Sequence, residues 1–262
     1  MRVDANFLTD NPRLYEAQFP DPEHLAARFV LDVLARHGLE RGALLDVGCG
    51  TGRDAAHWAR HGFHVTGIDN SPRMVEHAGA HCPDATFRQA DMRAFRLDRT
   101  FDAITCLDSA FLYCHTDDEL DSFLQRCRDH LRPGGMLVAE MRNGAFFLGN
   151  TELLDGIRER TVEWEGVPYR SRTRLWIDHA EQLLRRERVW DWPGCERELT
   201  QRSAWRLLFP QELRRVLRQA GFEVLDLFDH PGPRTEPAWR SGAHLGTSLA
   251  GDRLHLVAHR PT

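Results

Sequence analysis

The chain has 262 residues, a length that suits one α/β domain with a hydrophobic core of its own. Hydrophobic residues make up 42% and charged residues 28%, which excludes the disordered, collagen-like and coiled-coil classes. All 34 basic residues are arginines, so Schiff-base, P-loop and pyridoxal-phosphate chemistry, each of which needs a lysine amine, are excluded as well.

Charge and hydropathy also limit the partners. The net charge is −5 and the arginines are scattered, so no basic stripe indicates a nucleic-acid surface. The sequence contains no run of 18 apolar residues and begins with polar residues, so we expect a cytoplasmic protein without a membrane partner. The six cysteines lack paired spacing, so neither disulfides nor a structural metal is expected.

The first half of the chain alternates between strand and helix patterns. After a polar lead-in, apolar residues at helical spacing predict a helix over 23–37, ended by Gly38. The elements that follow are strand 43–47, a helix to about 61, strand 64–69, helix 73–80, strands 86–91 and 101–107, helix 117–131 and strand 136–141. This alternation predicts an α/β fold with a doubly wound, mostly parallel sheet.

The pattern changes after Arg142. Alternating runs between 162 and 192 predict an antiparallel β meander, followed by a helix over 210–220 and two closing strands at 222–228 and 253–258. The Pro- and Gly-rich stretch between those strands predicts a long loop. We therefore expect one domain with four parts: an N-terminal cap (1–40), a core (41–141), a substrate-binding lid (142–209) and a C-terminal helix with closing strands (210–262).

A glycine-rich turn follows the first predicted strand. Residues 46–52 read Asp-Val-Gly-Cys-Gly-Thr-Gly and lead directly into a helix. Glycines allow the backbone to turn sharply and approach a ligand, and the helix N-terminus adds a positive dipole. The dinucleotide fingerprint would require glycine where Arg53 stands, so hydride chemistry with NAD is disfavoured.

With an acid before alternating glycines, the chain resembles the class I S-adenosylmethionine-dependent methyltransferases. The resemblance continues through most of the chain, including the turn at 131–137 and the late segments 209–213 and 220–224. It implies a Rossmann-like sheet of seven strands, an antiparallel β lid after the fifth strand, and S-adenosylmethionine as cofactor.

The resemblance also implies which residues bind that cofactor. Asp69, at the end of the second strand, matches the acid that holds both ribose hydroxyls, because a carboxylate accepts two hydrogen bonds at once. The other implied contacts are the loop residues Asp46, Gly48, Gly50 and Gly52, the adenine neighbours Asn70, Met74, Asp91 and Met92, the Leu107 carbonyl, and Tyr15 near the N-terminus.

The overall layout resembles small-molecule N-methyltransferases of bacterial antibiotic pathways, especially the amino-sugar and lincosamide types. Leu107-Asp108-Ser109 stands where enzymes acting on nucleic-acid bases carry Asn-Pro-Pro-Tyr or Asp-Pro-Pro-Tyr. Arg142-Asn143 supplies no second acid for a catechol-type metal site. We therefore expect a small-molecule acceptor and no metal.

Several residues are candidates for the acceptor side. Phe7, Phe111 and Trp176 could line the acceptor pocket, although each could equally pack in the core. Arg170, Arg172 and Arg174 alternate along one strand, which indicates either a solvated face or contacts to a carboxylate or phosphate.

The sulfonium methyl is already activated, so the protein mainly aligns the nucleophile, an effect worth ~7 to 11 kcal/mol. An amine needs no strong base, whereas an alcohol would use a histidine, for which His115 and His244 are the catalytic candidates. We expect N-methylation in natural-product biosynthesis. Three alternative functions stay open: an O-methyltransferase with a histidine base, a non-catalytic S-adenosylmethionine-binding protein, and an oxidoreductase. The protein could also form a homo-oligomer.

Overall fold

The computed structural model describes residues 7–262. Over this range the chain forms six α-helices, which are α1 (Pro12–Gln18), α2 (Leu25–Arg36), α3 (Arg53–Arg60), α4 (Pro72–His81), α5 (Asp117–His130) and α6 (Pro210–Gln219). Its strands are β1 (Gly42–Val47), β2 (Phe63–Asp69), β3 (Thr86–Gln89), β4 (Phe101–Cys106), β5 (Leu131–Arg142), β6 (Arg158–Trp164), β7 (Val167–Asp178), β8 (Leu183–Asp191), β9 (Leu199–Arg206), β10 (Glu223–Phe228) and β11 (Arg253–His259). None of the helices between residues 7 and 262 is long and apolar enough to cross a membrane.

Seven strands form one sheet in the order β10-β11-β5-β4-β1-β2-β3. The five strands from β1 to β5 pair in parallel, whereas β11 runs antiparallel to both β10 and β5. The order reverses at β1 and β4, so the carboxyl ends of these two strands border a crevice where ligands of such sheets bind. The predicted doubly wound, mostly parallel sheet is confirmed.

Both faces of this sheet are buried. In β1, Leu45 and Val47 belong to one hydrophobic cluster and Leu44 to a second cluster on the opposite face. Successive residues of a strand point to opposite faces, so a strand covered by helices on both sides has to be apolar throughout. This explains why β1 is apolar on both faces rather than alternating, with Asp46 as the one charged residue in the strand.

Strands β6 to β9 form a separate antiparallel sheet. On β8 the inward-facing residues Leu184 and Trp190 mark its two attachments: Leu184 packs in the core of the main domain, and Trp190 packs with Leu8 and Leu14. The sequence predicts the meander only up to residue 192, whereas its last strand is β9. The sheet therefore connects the N-terminal segment to the main core.

The long loop between β10 and β11 is held by side chains rather than by regular secondary structure. Asp229 accepts hydrogen bonds from the Ser248 hydroxyl at 2.8 Å and from two backbone amides, those of Ala250 at 2.9 Å and Gly251 at 3.1 Å. The indole of Trp239 donates to Asp32 on α2 at 2.8 Å. These contacts fix the path of the loop across the edge of the cavity described next.

Candidate active site

The glycine loop after β1 turns through three left-handed residues. Gly48, Gly50 and Gly52 have φ of +77°, +53° and +77°, a region that disfavours any residue with a Cβ. A Cβ on Gly52 would also lie 2.8 Å from that of Ala78. The loop therefore brings bare backbone to the cavity at the N-terminal end of α3, the arrangement that Asp46 to Gly52 predict from sequence.

Asp69 ends β2 beside this loop. One of its oxygens accepts the Gly50 amide at 3.0 Å and the other accepts the Ser71 amide at 2.8 Å. Burial raises the pKa of Asp69, while these backbone hydrogen bonds act in the opposite direction. Each oxygen has a further lone pair, so the carboxylate is held in place while it can still accept hydrogen bonds from a diol in the cavity.

Asp46 lies behind the loop rather than on the cavity wall. It is buried in the sheet, where the Thr105 hydroxyl donates to its carboxylate at 2.7 Å. Burial raises its pKa to about 7, only partly offset by the bond from Thr105. Gly52 likewise packs against Ala78 and Phe87 instead of lining the cavity.

The residues predicted to surround an adenine line the cavity together. They are Asn70, Met74, Asp91 and Met92, from the ends of β2 and β3 and the start of α4. Arg93 donates two hydrogen bonds to the carboxylate of Asp91, from Nε to one oxygen at 2.9 Å and from Nη2 to the other at 2.5 Å. The hydrogen bond from Arg93 lowers the pKa of Asp91, against a smaller effect of burial.

A strained turn follows β4. Asp108 and Ser109 both adopt left-handed φ values, 48° and 65°, which cost free energy for residues other than glycine. Leu107 lines this side of the cavity, and its carbonyl accepts the Ala110 amide at 3.0 Å. The turn directs the carboxylate of Asp108 toward the hydroxyl of Tyr15, 3.5 Å away.

A buried glutamate holds that turn. Glu140 on β5 is fully buried, and its side chain accepts the Asp108 amide at 3.0 Å. Its two oxygens also pair with Arg234 at 2.7 Å and Arg253 at 2.8 Å. Burial alone would raise the pKa of Glu140, but the two guanidinium groups outweigh it and lower the pKa to about 2. The charge on Glu140 thus stabilises contacts between β5 and three other segments: the turn at Asp108, the long loop at Arg234 and β11 at Arg253.

The glycine loop, the residues predicted to surround an adenine, the turn after β4 and the two arginines that pair with Glu140 border one cavity of about 990 Å³. At one end lie Gly48, Gly50 and Asp69, and the wall continues past Tyr15 and Leu107 to the inward face of the four-stranded sheet. Pockets for a single drug-sized ligand range over roughly 300 to 1,000 Å³, so the space is at the upper end of that range. It can accept a cofactor and a second small molecule together.

His115 lies on the wall of this cavity. Its Nε2 is 3.0 Å from the carbonyl oxygen of Ala204 on β9. Because a carbonyl only accepts hydrogen bonds, this contact places the ring proton on Nε2 and leaves Nδ1 as the proton-accepting nitrogen. The sequence could not supply this contact, since Ala204 is 89 residues away.

The other acceptor-side candidates lie elsewhere. Phe7 stacks on Trp192 at 5.5 Å, and Phe111 is buried edge-on against Phe123 at 5.2 Å. Trp176 lies on the outer face of β7 with Arg174 over its ring, because the strand's alternation turns Leu175 inward instead. His244 is exposed on the long loop. These four side chains do not line the cavity.

The arginines near the cavity also differ from those that the sequence singles out. Arg170 and Arg172 point outward from β7 and pair with Asp191. Arg186 and Arg188, on the next strand, face the cavity. The pattern Leu184-Arg186-Arg188-Trp190, apolar at both ends and basic between, carries the signal for this placement, because a strand shows one face at every second residue.

Comparison with known proteins supports the interpretation of the cavity. The methyltransferase domain family matches residues 44–135. The dTDP-3-amino-3,4,6-trideoxy-alpha-D-glucopyranose N,N-dimethyltransferase of Streptomyces venezuelae is 38% identical over 111 residues, or 42% of this chain and 47% of that protein. The trans-aconitate 2-methyltransferase of Escherichia coli O1:K1 / APEC is 30% identical over 210 residues, or 78% of this chain and 73% of that protein.

A solved structure resembles nearly the whole chain. The sugar N-methyltransferase KedS8 from Streptoalloteichus sp ATCC 53650 superposes with a TM-score of 0.75 and 25% identity, covering 95% of this chain and 92% of that one. By sequence alone, the chain spans a little under half the length of the first amino-sugar relatives, 47% and 46%. The family match covers residues 44–135, whereas the similarity in shape extends over nearly the whole chain.

Proposed function

Because the chain belongs to the S-adenosylmethionine-dependent methyltransferase family, we propose that it methylates an amino nitrogen of a small, sugar-like molecule in natural-product biosynthesis. The observation that carries the proposal is the single cavity that joins the glycine loop and Asp69 to His115 and the four-stranded sheet. The amino-sugar and sugar N-methyltransferases among its relatives support this acceptor class.

The cavity suits the cofactor of this family. Asp69 has two rigid oxygens for the ribose hydroxyls, and the bare backbone at Gly48 and Gly50 leaves room for a ligand at the helix N-terminus. Asn70, Met74, Asp91 and Met92 would surround the adenine, and the Leu107 carbonyl and Tyr15 would hold the amino-acid end. When bound, S-adenosylmethionine supplies an activated methyl group.

The protein's own contribution is alignment, exclusion of water and removal of one proton. The sheet of β6 to β9 covers the acceptor end, and we propose that residues 142–209 act as its lid over the core. His115, with its proton fixed on Nε2, can take a proton from the acceptor amine at Nδ1. An amine that has lost its proton is a sufficient nucleophile, so alignment is the larger effect.

Turnover tests this proposal directly. We expect the purified protein to release S-adenosylhomocysteine and a methylated amine when given S-adenosylmethionine and the amino sugar named for the Streptomyces venezuelae relative. Mass spectrometry of both products checks it, with the corresponding hydroxyl sugar and trans-aconitate as comparison acceptors. Methylation of either comparison acceptor in preference to the amino sugar would contradict N-methylation. Cofactor binding without turnover on any acceptor would favour a non-catalytic binding protein.

Substitution of His115 separates an amine from an alcohol acceptor. For an amine, His115→Asn should lower kcat about tenfold at pH 7 and recover at higher pH, because solvent then removes the amine proton. For an alcohol the loss should be about 10²- to 10⁴-fold and persist at high pH, as expected for removal of a required base. The pH dependence of kcat for both proteins measures this, with His244→Asn as a control that should match the unaltered enzyme.

The remaining expectations belong to the same proposal. We expect the enzyme to act in the cytoplasm on a small molecule, without nucleic-acid or membrane partners. A cavity enclosed between two sheets suits a small acceptor better than a polymer. A homo-oligomer is compatible with this function, and light scattering of the purified protein would determine the oligomeric state.

A further inference from the structure

The inward face of the four-stranded sheet carries cations where the cavity meets it. Arg186 and Arg188 lie two residues apart on β8, and Arg160 on β6 also lines the cavity. Ser203 is the cross-strand neighbour of Arg186 on β9, and Gln201 is that of Arg188. Two arginines at alternate positions of one strand face the same side, about 7 Å apart along it.

Several donors in this group have nothing to bind. Arg188 is only 8% exposed and Arg186 is half-buried, yet Nη1 of Arg188 and Nε of Arg186 have no hydrogen-bond partner among the described residues. The buried hydroxyl of Ser203 is also without one. Buried donors are almost always satisfied in folded proteins, so adjacent orphaned donors facing a cavity indicate a missing ligand.

The charge of the group is also unbalanced. Within residues 7–262, no carboxylate forms an ion pair with Arg160, Arg186 or Arg188. On the outward face, by contrast, Arg185 pairs with Asp178, and Arg202 pairs with Glu187. Burial, reinforced by the positive charges of Arg186 and Arg160, lowers the pKa of Arg188 to about 9. Arg186 lies over the ring of Trp205 at 4.6 Å and Arg188 over that of Trp190 at 5.6 Å. These ring contacts do not neutralise the charge, and buried cations without an anionic partner are costly.

We propose that Arg160, Arg186, Arg188 and Ser203 form a binding site for a polyanionic group of the acceptor, meaning a diphosphate or closely spaced carboxylates. Arginine forks match both groups, since they donate two parallel hydrogen bonds to phosphate or carboxylate oxygens. More than one guanidinium calls for more than one negative charge, which a single carboxylate does not supply. This inference rests on the proposed function only in taking the cavity's second ligand to be the methyl acceptor.

Binding of simple anions tests the site without any methyl transfer. Isothermal titration calorimetry would measure the Kd of inorganic pyrophosphate, and separately of citrate, for the protein saturated with S-adenosylhomocysteine. We expect Arg188→Met and Arg186→Met to weaken binding of the preferred anion at least tenfold, as loss of a charged hydrogen bond implies. Arg185→Met, one residue away on the outer face, is the matched control and should leave the Kd unchanged.

Thermal unfolding provides a second measurement. If Arg188 serves a ligand, Arg188→Met removes an unpaired buried charge and should raise Tm by about 2 to 4 °C. A structural arginine would lower Tm instead. Preference for pyrophosphate identifies a phosphorylated acceptor, and preference for citrate a polycarboxylate; either supports the site.

Three results would overturn the inference: no binding of either anion, equal loss in Arg185→Met, or a lower Tm in Arg188→Met. The proposed function fails separately, because an absence of methylated amine in the turnover assay leaves anion binding unaffected.

Discussion

Replacing Glu140 with alanine should lower the free energy of unfolding by about 3 to 5 kcal/mol, the range expected when one partner of a buried ion pair is removed. Glu140 is fully buried and forms ion pairs with Arg234 and Arg253. The substitution would leave both guanidinium groups without this carboxylate. Its loss also frees the Asp108 amide, so the strained turn after β4 loses its main restraint. Chemical denaturation at pH 7 measures the change.

Acid should remove the same contribution from the unaltered protein. The pKa of Glu140 is about 2 in the folded state, below the ordinary value of 4.5, so its charge stabilises the fold above pH 4.5. That stabilisation is lost as the pH falls from about 4.5 toward 2. The difference in stability between the protein and its Glu140→Gln variant should therefore narrow over that interval.

An exposed glutamate provides the comparison. Glu76→Ala, which removes an exposed pair with Arg73, should change the free energy of unfolding by less than about 0.5 kcal/mol. A loss of under 1 kcal/mol in Glu140→Ala would mean that the two arginines find other partners or water, and that the buried network contributes little to the fold.

Replacing Asp69 with alanine should weaken the binding of S-adenosylhomocysteine roughly 10- to 100-fold, or about 1 to 3 kcal/mol. The ribose hydroxyls would lose their acceptor, and the amides of Gly50 and Ser71 would lose theirs. Isothermal titration calorimetry of the product cofactor measures this without turnover, so the result is independent of the acceptor.

A second aspartate serves as its control. Asp98 is exposed in a bend outside the cavity, and Asp98→Ala should bind the product cofactor as tightly as the unaltered protein. If Asp69→Ala binds within threefold of the unaltered protein, the cofactor lies elsewhere in the cavity and the predicted role of Asp69 is wrong.

Most of the fold could be predicted from the sequence because its signals are local. The apolar run of β1, the Ser71-Pro72 start of α4 and the Gly221 after α6 each define a boundary by themselves. The sequence predicts only a polar lead-in where the short helix α1 forms. It packs through Leu14 against Trp190, a contact far apart in the sequence that no local pattern reveals.

The candidate site likewise contains residues that the local sequence predicts and residues that depend on contacts between distant segments. The glycine loop and Asp69 follow directly from strand ends, so spacing alone predicts their proximity. The Glu140 network and the inward arginines of β8 depend on which strands pair and which face of each strand turns inward. Arg170 and Arg172 stand on β7 in an alternating pattern like that of Arg186 on β8, and the pairing of the two strands shows that the first two meet a carboxylate while Arg186 meets the cavity.

The position of β11 has a consequence for synthesis of the protein. This strand is made after every other strand, yet it lies inside the sheet between β5 and β10 and carries Arg253. A nascent chain that has reached only β10 leaves the edge of β5 unpaired and Glu140 without one of its two cations. The ribosome therefore has to release β11 before the turn at Asp108 can be fixed, so translation products that end before residue 253 should lack an organised acceptor pocket.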